Sequence, residues 1–196
     1  MKRTFDLIAS SLGLLLLSPL FLMLAIWIKI DSEGPVFYRQ VRVGKGNRDF
    51  QLFKFRSMRV GSDQKGLITV GGRDPRVTRS GYYIRKYKLD ELPQLINVFI
   101  GDMSLVGPRP EVRKYVDLYT PEQMHVLDVR PGITDLASIR YRNENELLAQ
   151  VEDPDRYYVE AIMQDKLQLN LEYVEKQSFR FDLQLIFKTF SEIIRK

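Results

Sequence analysis

Residues 7–28, LIASSLGLLLLSPLFLMLAIWI, decide the architecture of this chain. The run is apolar apart from Ser10-Ser11, Gly13 and Ser18-Pro19. As one helix it extends roughly 33 Å at about 1.5 Å per residue, enough to cross a hydrocarbon core of about 30 Å. It is longer than the apolar centre of a signal peptide and offers no clean cleavage site. Two geometries are open to it: a membrane span kinked by proline, or a re-entrant helix that dips into one leaflet and returns. Pro19 has no N–H for the carbonyl of Leu15 and its ring crowds that turn, so a bend at Ser18-Pro19 is allowed. The Ser18 hydroxyl is available to satisfy a freed carbonyl at depth. Lys2 and Arg3 precede the run, and Lys29, Arg39, Arg42 and Lys45 follow it, so the positive-inside rule assigns both flanks to the cytoplasm. Because kinked spans are common, helix physics alone favours the span.

With 196 residues, and 30 Lys and Arg against 25 Asp and Glu, the chain suits one compact domain plus an appendage, with a basic excess of +5. Nucleic acid, an anionic membrane surface and phosphorylated substrates all fit that excess. The bases, however, are scattered beside carboxylates and form no nucleic-acid recognition motif, so no nucleic-acid partner is expected. The chain has no Cys and one histidine, His125, which leaves no disulfide framework, thiolate zinc site or His-based metal centre. After Asp31-Ser32-Glu33-Gly34-Pro35, two β-rich runs, Val36 to Val43 and Phe50 to Arg56, flank Gly44-Lys45-Gly46-Asn47 and predict a hairpin. Leu52, Lys54 and Arg56 share one face of its second strand. Residues 57–80 read as a surface loop, in which Gly71-Gly72 lacks the spacing of a phosphate-binding loop. Tyr82 to Lys88 predicts a short basic helix.

The chemistry concentrates in Lys88-Leu89-Asp90-Glu91-Leu92-Pro93-Gln94, which runs into Leu95-Ile96-Asn97-Val98-Phe99. Two adjacent carboxylates precede a short apolar helix, with Arg79, Arg85, Lys86 and Lys88 upstream and Arg109 downstream. The spacing makes Asp90 an N-cap, tolerates Pro93 in the first turn and closes the helix at Gly101. Asp90 and Glu91 then either cap the helix or carry chemistry. An ionised Asp beside a helix N-terminus and cations can attack phosphorus, while its neighbour deprotonates a nucleophile or holds a divalent cation. Gly101 to Pro110 reads as a loop that fixes Arg109 between two prolines, suited to bidentate phosphate contact. Thr120-Pro121-Glu122-Gln123 predicts a capping box. Arg130-Pro131-Gly132-Ile133-Thr134 reads as a turn, and Ile139-Arg140-Tyr141-Arg142-Asn143 adds two more bases. From Asp153 onward the chain reads as helical, and Phe179 to Ile194 has the apolar spacing of either a core-facing or a membrane-surface helix.

In order along the chain, Ser18-Pro19, Phe53-Lys54-Phe55-Arg56-Ser57-Met58, Leu89 to Gln94, Asn97-Val98 with Gly101 to Ser104, Val106 to Pro110 and Arg130 to Thr134 resemble the small monotopic phosphoglycosyl transferases, the bacterial sugar transferases. The resemblance implies an α/β protein, mostly helical with a small β-hairpin. It would have a re-entrant membrane helix broken at Ser18-Pro19 (residues 1–30), interfacial amphipathic helices and a catalytic domain on the cytoplasmic face of the bacterial inner membrane (residues 31–196). It implies Mg²⁺-dependent transfer of a sugar 1-phosphate from a UDP-sugar to polyprenyl phosphate with release of UMP. Asp90 would be nucleophile and Mg²⁺ ligand, and Glu91 would assist. Arg85, Arg109 and Arg142, and secondarily Lys54 and Arg56, would bind phosphate. Partners are then UDP-sugar, polyprenyl phosphate and membrane lipids, with self-association and downstream glycosyltransferases to be tested. After Thr134 the family often continues with Gly and then Trp or Leu; here Asp135-Leu136-Ala137-Ser138 follows, which bears on sugar or nucleotide selectivity. The rival reading is a catalytically silent, membrane-anchored nucleotide-sugar binder or scaffold.

Overall fold

The computed structural model describes residues 1–62 and 74–194, so Gly71-Gly72 lies outside the described residues. The architecture is mostly helical with a small antiparallel hairpin, as the sequence predicts. Its first helix, α1 (Lys2–Asp31), is inverted relative to a helix packed in water. It buries Asp6 and Ser10 along with Leu24 and Ile28, yet Leu15 is 70% and Leu16 76% exposed, and Leu12, Leu22, Met23, Ile26 and Ile30 also face outward. An apolar stripe of that size suits a hydrocarbon medium, and α1 has the length and composition of a membrane anchor. The helix is continuous through Pro19. The break expected at Ser18-Pro19 takes the form of one missing rung: Pro19 offers no N–H to Leu15, and Ser18 Oγ donates to that carbonyl at 2.8 Å.

Both ends of α1 are tied to the rest of the chain. Near the start, Lys2 Nζ donates to Asp182 (2.6 Å), the Val106 carbonyl (2.9 Å) and Tyr173 Oη (3.2 Å). Arg3 caps the carbonyls of Val98 (2.6 Å) and Phe99 (2.9 Å), and Asp6 accepts from Ser104 Oγ (2.8 Å) and the Leu105 N–H (3.1 Å). At the far end, Asp31 accepts from the Ser80 N–H (2.9 Å) and hydroxyl (2.8 Å). Arg56, 4% exposed, donates to the carbonyls of Glu33, Ser32 (2.7 Å) and Ile28 (3.5 Å). Arg56 thus satisfies carbonyls that the end of α1 leaves without partners.

The hairpin pairs β1 (Phe37–Val43) with β2 (Asp49–Phe55) in register from Phe37–Phe55 to Val43–Asp49. Its loop passes through Gly46 and Asn47, both at positive φ (68° and 61°). Phe55 packs with Leu24, Ile28 and Ile84, the last from α2 (Arg79–Lys86), while Leu52 on the opposite face packs with Val98 and Met103. The open edge of β2 is occupied by a side chain. Asn97, from α3 (Gln94–Ile100), accepts from the Phe53 N–H (2.9 Å) and donates to the Gln51 carbonyl (2.7 Å). An amide thus reproduces the donor–acceptor pattern of a third strand and fixes α3 against the hairpin.

The Gly- and Pro-rich segments expected to be loop and turn contain a second, parallel pair, β3 (Ser104–Val106) with β4 (Gly132–Thr134). Gly107 and Gly132 let the two backbones meet, because a Cβ on either would overlap the other segment. The remaining helices are α4 (Arg113–Val116), α5 (Leu136–Arg140), α6 (Glu144–Leu148), α7 (Pro154–Tyr157), α8 (Met163–Lys176) and α9 (Phe179–Ile194), with a π turn at Tyr158–Ile162 ahead of α8. The capping box forms reciprocally: Gln123 N–H to Thr120 Oγ1 (3.2 Å) and Thr120 N–H to Gln123 Oε1 (2.9 Å). α9 buries Leu185 and leaves Phe187 71% exposed, so it serves the core and an outer surface together.

Candidate active site

The acidic pair does not cap α3. Lys88 adopts a left-handed conformation (φ 57°), Leu89–Glu91 form a 3₁₀ turn, and Pro93 stands at the head of α3, which Gly101 closes at φ 102°. Leu89 and Leu92 pack into the cluster around Phe55 and Ile84. Asp90 and Glu91, between these two apolar anchors, line a cavity of about 1380 Å³ shared with Lys54, Arg56, Arg85, Arg109 and Arg142.

The two carboxylates have opposite surroundings. Glu91 Oε1 pairs with Arg109 Nη2 and with Lys54 Nζ (3.4 Å), and Oε2 accepts from Arg109 Nη1 (3.2 Å). Burial alone would raise its pKa, but Arg109 and Lys54 outweigh burial and hold the carboxyl well below the usual range. Asp90 is 8% exposed, and among the described residues its carboxylate takes no hydrogen bond and forms no ion pair. Burial pushes its pKa upward, Lys54 and then Arg85 and Lys88 pull it down, and the adjacent Glu91 charge raises it. The sequence alone suggested a carboxylate kept ionised by its cations; here burial is the larger effect. Asp90 is therefore an unpartnered base whose charge a bound cation or cationic phosphate site would stabilise.

The predicted cations fall into three groups. Lys54 and Arg109 meet at Glu91. Arg85 lines the cavity within electrostatic reach of Asp90, and its guanidinium makes no hydrogen bond or ion pair among the described residues. Arg142 and Arg56, the other phosphate-binding candidates, line the same cavity, and their guanidiniums are bonded to carbonyls of the chain. Arg142 donates to the Glu192 carbonyl and lies 3.8 Å from its carboxylate. Arg56 closes the end of α1 by donating to the Ile28, Ser32 and Glu33 carbonyls. Two residues named in the sequence were not picked out as site residues. Lys88, adjacent to the pair, acts on both carboxylates. Asp135 accepts the Arg109 N–H (2.6 Å) and caps α5 through the Ser138 N–H; an Asp before Leu-Ala-Ser-Ile carries the N-cap signal that could have found it.

The donor set fits a substrate-bridged Mg²⁺ better than a protein-caged metal. No group of three or more His, Cys, Asp or Glu converges among the described residues, and the Glu91 oxygens are filled. Asp90 offers one hard carboxylate, which is what Mg²⁺ uses when water and substrate phosphates complete its shell.

The family profile described as "Bacterial sugar transferase" matches residues 1–196. The chain is 41% identical to the UDP-N-acetylgalactosamine-undecaprenyl-phosphate N-acetylgalactosaminephosphotransferase of Aeromonas hydrophila, covering 98% of this chain and 43% of that protein. It is 37% identical to the UDP-glucose:undecaprenyl-phosphate glucose-1-phosphate transferase of Escherichia coli (96% of this chain, 39% of that protein). It is 36% identical to the similarly named protein of Caulobacter vibrioides (98% and 69%). The chain thus spans about two fifths of the length of the first two relatives.

Proposed function

The chain belongs to the bacterial sugar transferase family, and from that premise we propose that it transfers a sugar 1-phosphate from a UDP-sugar to undecaprenyl phosphate and releases UMP. The observation that carries the reading is the unpartnered Asp90 carboxylate, one residue from a Glu91 that clamps Arg109 and Lys54 at the same cavity. A deprotonated Asp90 oxygen attacks the sugar-bearing phosphorus, the bond from that phosphorus to the UMP oxygen breaks, and UMP leaves with the electron pair. The resulting aspartyl phosphosugar is attacked by a phosphate oxygen of the lipid, which forms the lipid diphosphate sugar and returns the Asp90 carboxylate. Arg109 and Lys54, held by Glu91, and the free Arg85 offset the charge of the transferred group. Asp90 would hold Mg²⁺, which when bound neutralises phosphate charge.

The same proposal places the site at the cytoplasmic surface on a re-entrant anchor. What supports this is the attachment of α1. If α1 crossed the bilayer, Lys2, Arg3 and Asp6 would sit on the far side of about 30 Å of hydrocarbon from Asp182, Val98 and Ser104, which they bond. Thr4→Cys in intact cells is expected to resist an impermeant external thiol reagent, and labelling would overturn this topology.

The activity is tested by UMP release from purified protein given Mg²⁺, undecaprenyl phosphate and a panel of UDP-sugars, alongside Asp90→Asn. Release that needs Mg²⁺ and one sugar and is lost in the variant sustains the proposal. Release that survives in Asp90→Asn removes the nucleophile. No release from folded protein across the panel leaves a silent binder.

A further inference from the structure

The cavity continues beyond the phosphate end, along a wall made by α5, α6 and α8. Buried polar groups there are for the most part internally satisfied. Tyr141 Oη donates to Asp165 (2.7 Å), Lys166 pairs with Glu144, Tyr158 Oη donates to Glu111, and Thr134 Oγ1 meets Thr189 Oγ1 (2.6 Å). Asn170 and Ser138 are different. Asn170 is 6% exposed, and its Oδ1 is buried without a partner; the Ser138 hydroxyl is buried without one too. No hydrogen bond to the Asn170 side chain occurs among the described residues, and both residues line the cavity. A folded chain rarely leaves such groups unpaired, because each loses its water and gains nothing. The place of Ser138 relative to the charged end is fixed: Asp135 holds the Arg109 N–H with one oxygen and the Ser138 N–H with the other.

We infer that Asn170 and Ser138 form the subsite that recognises an uncharged hydrogen-bonding group of the nucleotide-sugar donor, a sugar hydroxyl or the uracil imide. This rests on the activity proposed above. A cation would be poorly served by one neutral amide, and an anion would turn toward Arg109 and Arg85. A neutral group that both donates and accepts matches an amide and a hydroxyl lining one cavity. Recognition of this kind discriminates strongly, because a donor lacking the group leaves both side chains unpaired.

The test uses the full chain in detergent, with Asn170→Leu and Ser138→Ala. The donor KM is expected to rise roughly tenfold in Asn170→Leu, equivalent to about 1.4 kcal/mol, and several-fold in Ser138→Ala. Thermal stability should be equal or higher, and kcat and the lipid KM near wild type. A parallel rise in the inhibition constant of UMP identifies the uracil as the group read, and an unchanged one identifies the sugar. A donor KM unchanged in both variants overturns the inference while the activity stands; if Asn170→Leu does not fold, Ser138→Ala decides alone. If wild type releases no UMP, the proposed activity falls, and the subsite is read by thermal shift with UDP-glucose and UDP-N-acetylgalactosamine. A wild-type shift lost in Ser138→Ala sustains it, and no shift overturns it.

Discussion

Two sides of one short turn, Leu89–Glu91, are built on opposite principles. The Glu91 side is saturated: a guanidinium fork, an ammonium and two carboxylate oxygens satisfy one another. The Asp90 side is stripped, a buried carboxylate with no partner among the described residues. Adjacent residues of the same charge type therefore take different roles, because the nearby cations bond Glu91 directly and reach Asp90 only through space. Saturation makes Glu91 a positioning residue for Arg109 and Lys54, and bareness leaves Asp90 able to accept a new bond.

The sharpest way to break that contrast is Asp90→Asn. It should lower UMP release by at least about 10³-fold and leave thermal stability unchanged or higher, since it removes an uncompensated buried charge. A large loss of stability would show that Asp90 is structural after all. Glu91→Gln should do the reverse in kind, stranding Arg109 and Lys54 at a cost of roughly 2–3 kcal/mol. That is below the roughly 3–5 kcal/mol of a fully buried broken pair, because Arg109 keeps about a third of its side chain exposed. Denaturant unfolding of the two variants side by side checks the order, and equal destabilisation would erase the distinction.

The acid limb of the rate profile sharpens the contrast further. Asp90 attacks only when deprotonated, and burial raises its pKa against the pull of Lys54. Activity should therefore be present above that raised value and fall as pH drops through it, at a pH above the ordinary carboxylate range. Lys54→Met, which removes the opposing charge, should move the limb higher still. A limb at or below about 4, measured on donor kcat/KM, would contradict it. The smallest effect is expected from Asp135→Asn, which weakens the hold on the Arg109 backbone: a rise in donor KM of about threefold, of the order expected for a weakened charge-assisted bond.

Much of this was legible in the sequence because the signals were local. The hairpin followed from two β-rich runs around a Gly/Asn turn, the capping box from Thr120 and Gln123, and the Ser18 contact from the carbonyl that Pro19 leaves open. What escaped was long-range. Three-residue strands such as β3 and β4 are too short for periodicity, and their Gly and Pro content reads as loop until the partner strand is known. The fates of Arg56 and Arg142 depended on carbonyls 24 and 50 positions away, and no window around a cation reveals its distant acceptor. The start of α3 was placed one turn too early, at Asp90, because spacing cannot distinguish an N-cap from a preceding 3₁₀ turn.

Asn97 also guards an edge. A two-stranded ribbon exposes two rims of unpaired amides, a template on which a second ribbon can grow. Copies of a membrane-anchored chain share one plane, where encounters are frequent and similarly oriented. Here the rim of β2 is occupied at Gln51 and Phe53 by the Asn97 amide, and the Val43 N–H of β1 is taken by the Glu111 carbonyl (2.9 Å). Sheet growth along the β2 rim would first have to evict Asn97, and with it the helix that follows the acidic pair, so aggregation through that rim and loss of the site become a single event.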